Sequence, residues 1–170
     1  MSYRMGIGYD LHRLRSGRPL YLGGVEIPFE KGLEGYSDAD VLLHAICDAL
    51  LGSVADGDLG SHFPPGDETF RACRSTHLLE RVVERLWKKG FIVVNLDTVV
   101  VAQQPTIAPY RDEMVSSISN LLEVQPEHVS VKATTTEGLG AEGRGEAISA
   151  KAIVLVRSID SKDKEQANLW

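Results

Sequence analysis

Two hydrophobic periods alternate along this chain of 170 residues, one typical of helices and one typical of strands. The clearest helical pattern runs from about Asp38 to Leu51, and Ser37 with Asp40 forms a variant capping box at its start. The apolar positions share one side, and His44 lies opposite, with Asp40 and Asp48 one turn away on either side. Because this stretch contains no Lys or Arg, we expect a helix buried nearly all round.

The other patterns predict a chain that mixes strands and helices. Gly6 and Gly8 in the first strand permit close backbone approach. Ser75 is expected to cap the second helix. The remaining predicted elements are strands over 3–12, 91–102, 128–133 and 147–156, a hairpin over 20–28, and helices over 76–89 and 109–122.

Three side chains in these elements suggest a metal site. Asp10 and His12 are two residues apart, so on a strand they point to the same side. With His44 they would supply one oxygen and two nitrogen ligands and leave a fourth position open, as in catalytic zinc sites. Two alternatives stay open at this point: Asp10 and His12 could end a strand that faces solvent, and His44 could be a half-buried histidine balanced by Asp40 or Asp48.

A loop over residues 134–145 joins the last two predicted strands. It contains Gly138-x-Gly140-x-x-Gly143, but a strand pattern follows where a dinucleotide site needs a helix, so we reject that site. Its hydroxyl and glycine residues suit phosphate oxygens, Glu137 could hold a hard cation, and Arg144 could pair with an anion. The alternative is an irregular surface connection.

Composition narrows the function classes. The chain is 43% hydrophobic and 25% charged, typical of a globular protein, and its net charge of −6 argues against a broad nucleic-acid or acidic-membrane surface. Cys47 and Cys73 form neither a metal-ligand spacing nor a disulfide framework. Neither a membrane span nor a signal pattern is evident, so we expect a bacterial cytoplasmic protein, or a plastid one if a transit peptide was removed. Residues 1–157 are expected to form one domain, and 158–170 a frayed polar tail.

Short motifs in a fixed order extend from Met5 to Arg157 and carry a resemblance to a known family. They are Gly8-x-Asp10-x-His12, Gly23-Gly24-x-x-Ile27-Pro28, Ser37-Asp38-x-Asp40-x-x-x-His44, Asp48-Ala49-Leu50-Leu51-Gly52, Gly57-Asp58-x-Gly60, Phe63-Pro64, Ala102-Gln103-x-Pro105, Val131-Lys132-Ala133-Thr134-Thr135-Thr136-Glu137 and Gly143-Arg144-Gly145-Glu146. With these motifs the chain resembles the 2-C-methyl-D-erythritol 2,4-cyclodiphosphate synthase family, cyclases of the non-mevalonate isoprenoid pathway.

The resemblance implies an α+β fold. It would be a single domain with a mixed four-stranded sheet, a small hairpin and helices on one side of the sheet. Three subunits would pack their sheets around a threefold axis, and the active sites of this homotrimer would lie at the subunit interfaces.

The resemblance also implies an intramolecular phosphoryl transfer, a lyase reaction that releases CMP from 4-diphosphocytidyl-2-C-methyl-D-erythritol 2-phosphate and closes 2-C-methyl-D-erythritol 2,4-cyclodiphosphate. Asp10, His12 and His44 would hold one Zn²⁺ per subunit, and Glu137 would hold Mg²⁺ or Mn²⁺ with the substrate. The helix start near Ser37 would offer backbone N–H groups to a phosphate.

Other roles follow from the same resemblance. Thr135 matches a threonine that stabilises the transition state, and Tyr36 occupies the place of a histidine with that role. By the resemblance, Arg144 matches a residue of the trimer's central cavity, where an isoprenoid diphosphate would bind. The positions implied to bind substrate are Ser37, Asp58, Leu59, Gly60, Phe63, Asp67, Ala102, Gln103, Pro105, Thr106, Ala133, Thr134, Thr136 and Arg144.

The chain departs from the family pattern at three positions near the substrate. Tyr36 replaces the histidine, Thr106 replaces a lysine and Pro65 replaces an aspartate. Two other functions therefore remain open: a catalytically weakened or non-catalytic trimer that binds an isoprenoid diphosphate, and a metal-dependent phosphoesterase.

Overall fold

A five-stranded mixed sheet forms the centre of the computed structural model, which describes residues 1–64, 66–70, 72–160 and 163. The strand order is β4-β1-β7-β5-β6; β5 and β6 are parallel, and the other neighbours are antiparallel. A separate hairpin pairs β2 with β3. The strands are β1 (Tyr3–Ser16), β2 (Leu20–Leu22), β3 (Val25–Ile27), β4 (Lys31–Leu33), β5 (Phe91–Val101), β6 (Val129–Thr134) and β7 (Ala147–Ser158).

The helices lie on one side of this sheet, which confirms the predicted α+β class. Three short 3-10 turns connect other elements, at Glu68–Phe70, Ala108–Tyr110 and Pro126–His128. The helices are α1 (Val41–Ser53), α2 (Leu59–His62), α3 (Ser75–Lys88), α4 (Arg111–Leu122) and α5 (Gly140–Gly143).

The prediction of a four-stranded sheet is wrong, because β4 adds a fifth strand at the edge. β1 does not end at His12 but continues to Ser16, and its last residues pair with β4, as Leu14 does with Leu33. β4 has only three residues, which is too short for the alternation that reveals a strand in a sequence.

The start of α1 also differs from the prediction. α1 begins at Val41, and the fully buried Asp40 is its N-cap, accepting a hydrogen bond from the Leu43 amide. The same carboxylate accepts hydrogen bonds from the Gly23 and Gly24 amides in the β2–β3 turn. Asp40 therefore fills the N-terminus of α1, and the predicted helix start near Ser37 is wrong, whereas a phosphate contact at Ser37 stays a prediction.

β1 and α1 pack with their backbones in contact. A Cβ added at Gly6 would lie 1.8 Å from the Ala49 carbonyl oxygen, and one added at Gly8 would lie 1.9 Å from that of Ala45. Side chains at these positions would keep the helix off the strand, as the two glycines predicted. The rest of α1 is buried under α3 and the sheet, which confirms a helix without a solvent face.

The opposite face of β1 is open in the single chain. Its odd-numbered residues point away from the helices, and Met5 and Ile7 are 74% and 71% exposed. Across the sheet, β7 adds Ile153 next to Ile7 and Leu155 next to Met5. We call this set, with Tyr3, Tyr9 and Leu11, the outer apolar face.

Several predictions concern the ends of elements. β7 continues to Ser158, two residues beyond its predicted end. The division into a domain over 1–157 and a tail over 158–170 stays a prediction, since residues 161, 162 and 164–170 lie outside the described residues, as does Pro65. None of the helices in the described part of the chain has the length and apolarity that crossing a bilayer requires.

Candidate metal centre and the adjoining cavity

Asp10, His12 and His44 converge on one point, as the sequence predicted. Asp10 Oδ2 lies 2.9 Å from His12 Nε2 and 3.0 Å from His44 Nδ1, and the two nitrogens are 3.2 Å apart. One ligand atom from each residue falls within 4.8 Å of the others. An oxygen and two imidazole nitrogens at this spacing suit a divalent transition metal, so the three residues form a candidate metal centre.

The packing of β1 against α1 produces this convergence. Asp10 and His12 occupy the same face of β1 as Gly6 and Gly8, because side chains alternate along a strand. His44 begins the turn of α1 that rests on Gly8 through Ala45. The contact between the two backbones therefore brings the imidazole of His44 to the carboxylate of Asp10.

The electrostatics suit a cation. Burial disfavours the charged form of Asp10, but hydrogen bonds to His12 and His44 outweigh it and hold the pKa of Asp10 well below its usual value. Burial also opposes charge on His12, yet the hydrogen bond to Asp10 raises the pKa of His12. The carboxylate therefore stays ionised and favours positive charge on the site, from protons or from a metal ion.

The outer nitrogen of each imidazole has its own partner. His12 Nδ1 lies 2.7 Å from the Glu34 carbonyl oxygen, which can only accept, so Nδ1 carries the proton and Nε2 is free for a metal. His44 Nε2 lies 2.9 Å from Ser75 Oγ and 3.3 Å from Ser37 Oγ.

His44 is not balanced by the two acids of its own helix. Asp40 bonds the β2–β3 turn, and Asp48 accepts a hydrogen bond from the Leu59 amide at 2.7 Å. The partner carboxylate is Asp10, on another element. The two alternatives from the sequence, a solvent-facing strand end and a histidine balanced within α1, are therefore both wrong.

A cavity of about 170 Å³ adjoins the candidate metal centre. Five of its lining residues were predicted to contact substrate or stabilise the transition state: Tyr36, Ser37, Leu59, Gly60 and Phe63. His12 and His44 form its metal side, and Phe70 and Leu78 complete the wall, with Phe70 stacked edge-on against Phe63. Phe70 and Leu78 were missed, because each resembles an ordinary core residue in the sequence.

Polar contacts hold the loop between α1 and α2, which precedes the part of the cavity wall formed by Leu59 and Gly60. The Asp56 carboxylate contacts Arg85 at 2.7 Å and Lys89 at 2.8 Å, both at the end of α3. Asp58 caps α2 by accepting hydrogen bonds from the amide and hydroxyl of Ser61. Asp67 lies farther along, exposed, and accepts a hydrogen bond from the Thr69 amide.

The predicted nucleotide pocket lies elsewhere in the sheet. Asp10 and Val100 both pair with Ala150 of β7, and Val100 also pairs with Ala133 of β6. Ala133 is therefore three strand spacings, about 14 Å, from Asp10. The Ala102 amide donates to the Thr134 carbonyl, which joins the two segments. Within one chain, Ala102, Gln103, Pro105, Thr106, Ala133, Thr134 and Thr136 form a group that does not line the cavity.

The loop after β6 carries two further predicted residues. Thr135 Oγ1 donates a hydrogen bond to Glu137 Oε1 at 3.2 Å, and both residues are exposed. Arg144 forms a two-point ion pair with Glu146, at 2.9 Å for each contact. Arg144 thus already has an anionic partner within the chain.

A family model with the description YgbB family matches residues 3–157, more than nine tenths of the chain. The chain belongs to the YgbB family. A relative from Desulfatibacillum aliphaticivorans named 2-C-methyl-D-erythritol 2,4-cyclodiphosphate synthase is 56% identical over 150 residues, covering 88% of this chain and 97% of that protein.

Solved structures of family members have the same fold. The bifunctional IspDF from Campylobacter jejuni superimposes with a TM-score of 0.90 at 36% identity, over 94% of this chain; the chain spans 43% of that larger protein. IspF from Plasmodium falciparum, solved as a CDP complex, gives a TM-score of 0.82 at 31% identity, with 94% and 98% of the two chains covered.

Two polar residues beside the centre of this YgbB-family chain were not singled out from the sequence as partners of a ligand. Ser75 contacts His44, and Asp38 accepts hydrogen bonds from both the amide and the hydroxyl of Ser75. Ser75 was predicted to be the cap of α3, but it is the first residue of the helix. Its backbone amide donates a hydrogen bond to the Asp38 carboxylate. The contact spans more than thirty residues in sequence, so local patterns do not reveal it.

Proposed function

We propose that this protein converts 4-diphosphocytidyl-2-C-methyl-D-erythritol 2-phosphate to 2-C-methyl-D-erythritol 2,4-cyclodiphosphate and CMP; relatives that share its family are named as synthases of that cyclic diphosphate. The observation that carries the proposal is the convergence of Asp10, His12 and His44 beside a cavity lined by Ser37, Leu59 and Gly60. We infer a bacterial cytoplasmic enzyme.

The reaction needs no side-chain nucleophile. An oxygen of the 2-phosphate forms a bond to the β-phosphorus, and the bond from that phosphorus to the bridging oxygen breaks, so that CMP leaves with the bond's electrons. Both reacting groups are anions, and a divalent ion at Asp10, His12 and His44, proposed to be Zn²⁺, would neutralise phosphate charge when bound.

The protein's own residues then act by positioning. Leu59 and Gly60 in the cavity wall, with Asp58 next to them, would hold the erythritol hydroxyls. Ser37, Phe63 and Tyr36 would enclose the folded substrate and exclude water from the phosphates. Holding two reacting groups of one molecule together can lower the barrier by roughly 7–11 kcal/mol at best.

We further propose a homotrimer in which a neighbouring subunit completes each site. The outer apolar face is a large exposed patch of a kind that marks subunit contacts. The segments with Ala102–Thr106 and Ala133–Thr136 lie about 14 Å across the sheet from Asp10, so the cytidine of one site would bind to these segments of the next subunit.

The loop after β6 would complete the phosphate chemistry. Glu137 is exposed and presents a carboxylate beside the Thr135 hydroxyl, which suits Mg²⁺ or Mn²⁺ bound together with the α- and β-phosphates. Thr135 would stabilise the transition state. An isoprenoid diphosphate near Arg144 stays a prediction, and it would have to compete with Glu146 for the guanidinium.

The test is to incubate the purified protein with the diphosphocytidyl substrate, Zn²⁺ and Mg²⁺ and to follow the products by phosphorus NMR. We expect CMP and the cyclic diphosphate. We expect His44→Ala to lower the rate at least about a hundredfold, while His77→Ala, an exposed histidine that pairs with Glu80, serves as the matched control and keeps it.

Each alternative function has its own result in this assay. Release of inorganic phosphate without CMP would identify a phosphoesterase. Absence of both CMP and the cyclic product, with an isoprenoid diphosphate still bound in calorimetry, would favour the non-catalytic binding protein.

A further inference from the structure

We propose that Ser75 is a positioning residue of the metal centre: oriented by Asp38, it fixes the tautomer of His44 so that Nδ1 is the nitrogen offered to the metal ion. The inference rests on the proposed function only in assuming that Asp10, His12 and His44 hold a divalent ion.

The hydrogen atom of the Ser75 hydroxyl determines the direction of the hydrogen bonds around His44. The hydroxyl has a single hydrogen, and the Asp38 carboxylate beside it can only accept. Ser75 therefore donates to Asp38. The amide of Ser75 donates to the other oxygen of the same carboxylate at 3.1 Å, so the carboxylate and the serine are held by two bonds.

The direction of the bond from Ser75 to Asp38 determines which nitrogen of His44 carries a proton. With its hydrogen committed to Asp38, Ser75 Oγ can act only as an acceptor toward His44 Nε2, which lies 2.9 Å away. Nε2 must then carry a proton and donate it. When a metal ion binds, Nδ1, which faces Asp10 and His12, would offer its lone pair to the ion in place of the hydrogen bond to Asp10.

The surroundings make this arrangement rigid. Ser75 is completely buried, and His44 is 8% exposed, so water has little access to the contact. Asp38 is also held by Arg74, whose guanidinium lies 3.2 Å from Oδ2, the oxygen that accepts from the Ser75 amide, and stacks over Tyr21. Ser37 Oγ lies farther from His44 Nε2, at 3.3 Å, and its two lone pairs allow it to accept from Nε2 as well as from the Ala39 amide.

This role differs from that of a helix cap or a core residue. A serine that only stabilised α3 would affect unfolding without changing the affinity for metal. Losing an outer partner of a metal-binding histidine typically weakens metal binding about 10- to 100-fold. Glu34 has the equivalent role for His12, through its main-chain carbonyl, so substitution can test only the Ser75 contact.

The first experiment measures Zn²⁺ and Co²⁺ affinity by competition with a chromogenic chelator. We expect Ser75→Ala to bind both ions about 10- to 100-fold more weakly than wild type. Ser119→Ala is the matched control, because it removes another buried serine hydroxyl, bonded to the Ser116 carbonyl in α4, and should leave the affinity unchanged. A folded Ser75→Ala protein with wild-type affinity would overturn the proposal.

The second experiment needs no folded variant. Nitrogen-15 NMR of histidine-labelled, Zn²⁺-loaded wild type should show a proton on Nε2 of His44 and none on Nδ1. A proton on Nδ1 would overturn the assignment even if Ser75→Ala does not fold. A wild-type protein that binds neither ion would overturn both this inference and the proposed function, whereas equal affinities of wild type and Ser75→Ala would overturn only the inference.

Discussion

The two faces of β1 differ completely in what they contact. On the inner face, Gly6 and Gly8 meet the backbone of α1, and Asp10 and His12 meet His44. On the outer face, Met5 and Ile7 are largely exposed in the single chain. Because side chains alternate along a strand, one strand therefore carries a candidate metal cluster on one face and an exposed apolar surface on the other.

The largest effect is expected on the inner face. Gly8→Ala would place a methyl group 1.9 Å from the Ala45 carbonyl oxygen, and backbone cannot move aside as a side chain can. We expect a loss of about 3 kcal/mol or more in the free energy of unfolding, measured by urea denaturation, together with loss of bound metal.

The matched control for that substitution is Gly52→Ala in α1, the helix whose backbone Gly8 contacts. There the nearest atom, the Ile7 carbonyl oxygen, would lie 3.9 Å from the new carbon, so stability should stay within about 1 kcal/mol of wild type. If Gly8→Ala were as stable as Gly52→Ala, direct backbone packing would not be what positions the site.

The next effect is expected on the outer face. Ile7→Lys would put a charge into the proposed subunit contact, and we expect light scattering to show one chain instead of three. Cyclase activity should fall with the trimer, while Zn²⁺ affinity should persist because all three ligands belong to one chain. Ser116→Lys, on the exposed surface of α4, adds the same charge and should leave the trimer intact.

The smallest effect is expected away from both faces, at Asp56. Hydrogen bonds and charge from Lys89 and Arg85 outweigh burial and lower the pKa of Asp56. A lowered carboxyl pKa means that the stabilisation is present above the unfolded pKa, near 3.8, and is lost as pH falls through the lower folded pKa. Asp56→Asn should therefore cost about 1 kcal/mol at pH 7 and progressively less below pH 4.

Urea unfolding of wild type and Asp56→Asn at several pH values measures this dependence. A difference that stayed constant from pH 7 into acid would mean that packing, rather than ionisation, holds the loop before the cavity. Asp56→Asn alters no residue on either face of β1, so the contrast between the two faces should be unaffected.

Much of this arrangement could be predicted from the sequence where the cause is local. The spacing of Asp10 and His12 predicts that they share a face of the strand. The absence of basic residues in α1 predicts that the helix is buried, and Gly6 with Gly8 predicts that the backbones of β1 and a neighbouring element approach closely. Those features follow from strand and helix periods, so a single segment carries the whole signal.

What could not be predicted depends on partners distant in sequence. α1 begins at Val41 rather than at about Asp38, and its cap, Asp40, also accepts hydrogen bonds from the Gly23 and Gly24 amides. His44 pairs with Ser75 and Asp10 rather than with the acids of its own helix. Neither partner lies within one helical turn, and only the folded chain brings them together.

The position of β1 between β4 and β7 has a consequence for synthesis of the protein. Asp10, His12 and His44 are all made more than one hundred residues before Ala150, the residue of β7 that pairs with Asp10. Contacts between residues so distant in sequence form slowly, because the chain loses the entropy of closing a long loop before the contacts stabilise it. A growing chain therefore contains Asp10, His12 and His44 before β7 is available to pair with β1, and we expect a metal ion to bind only after β7 has been made.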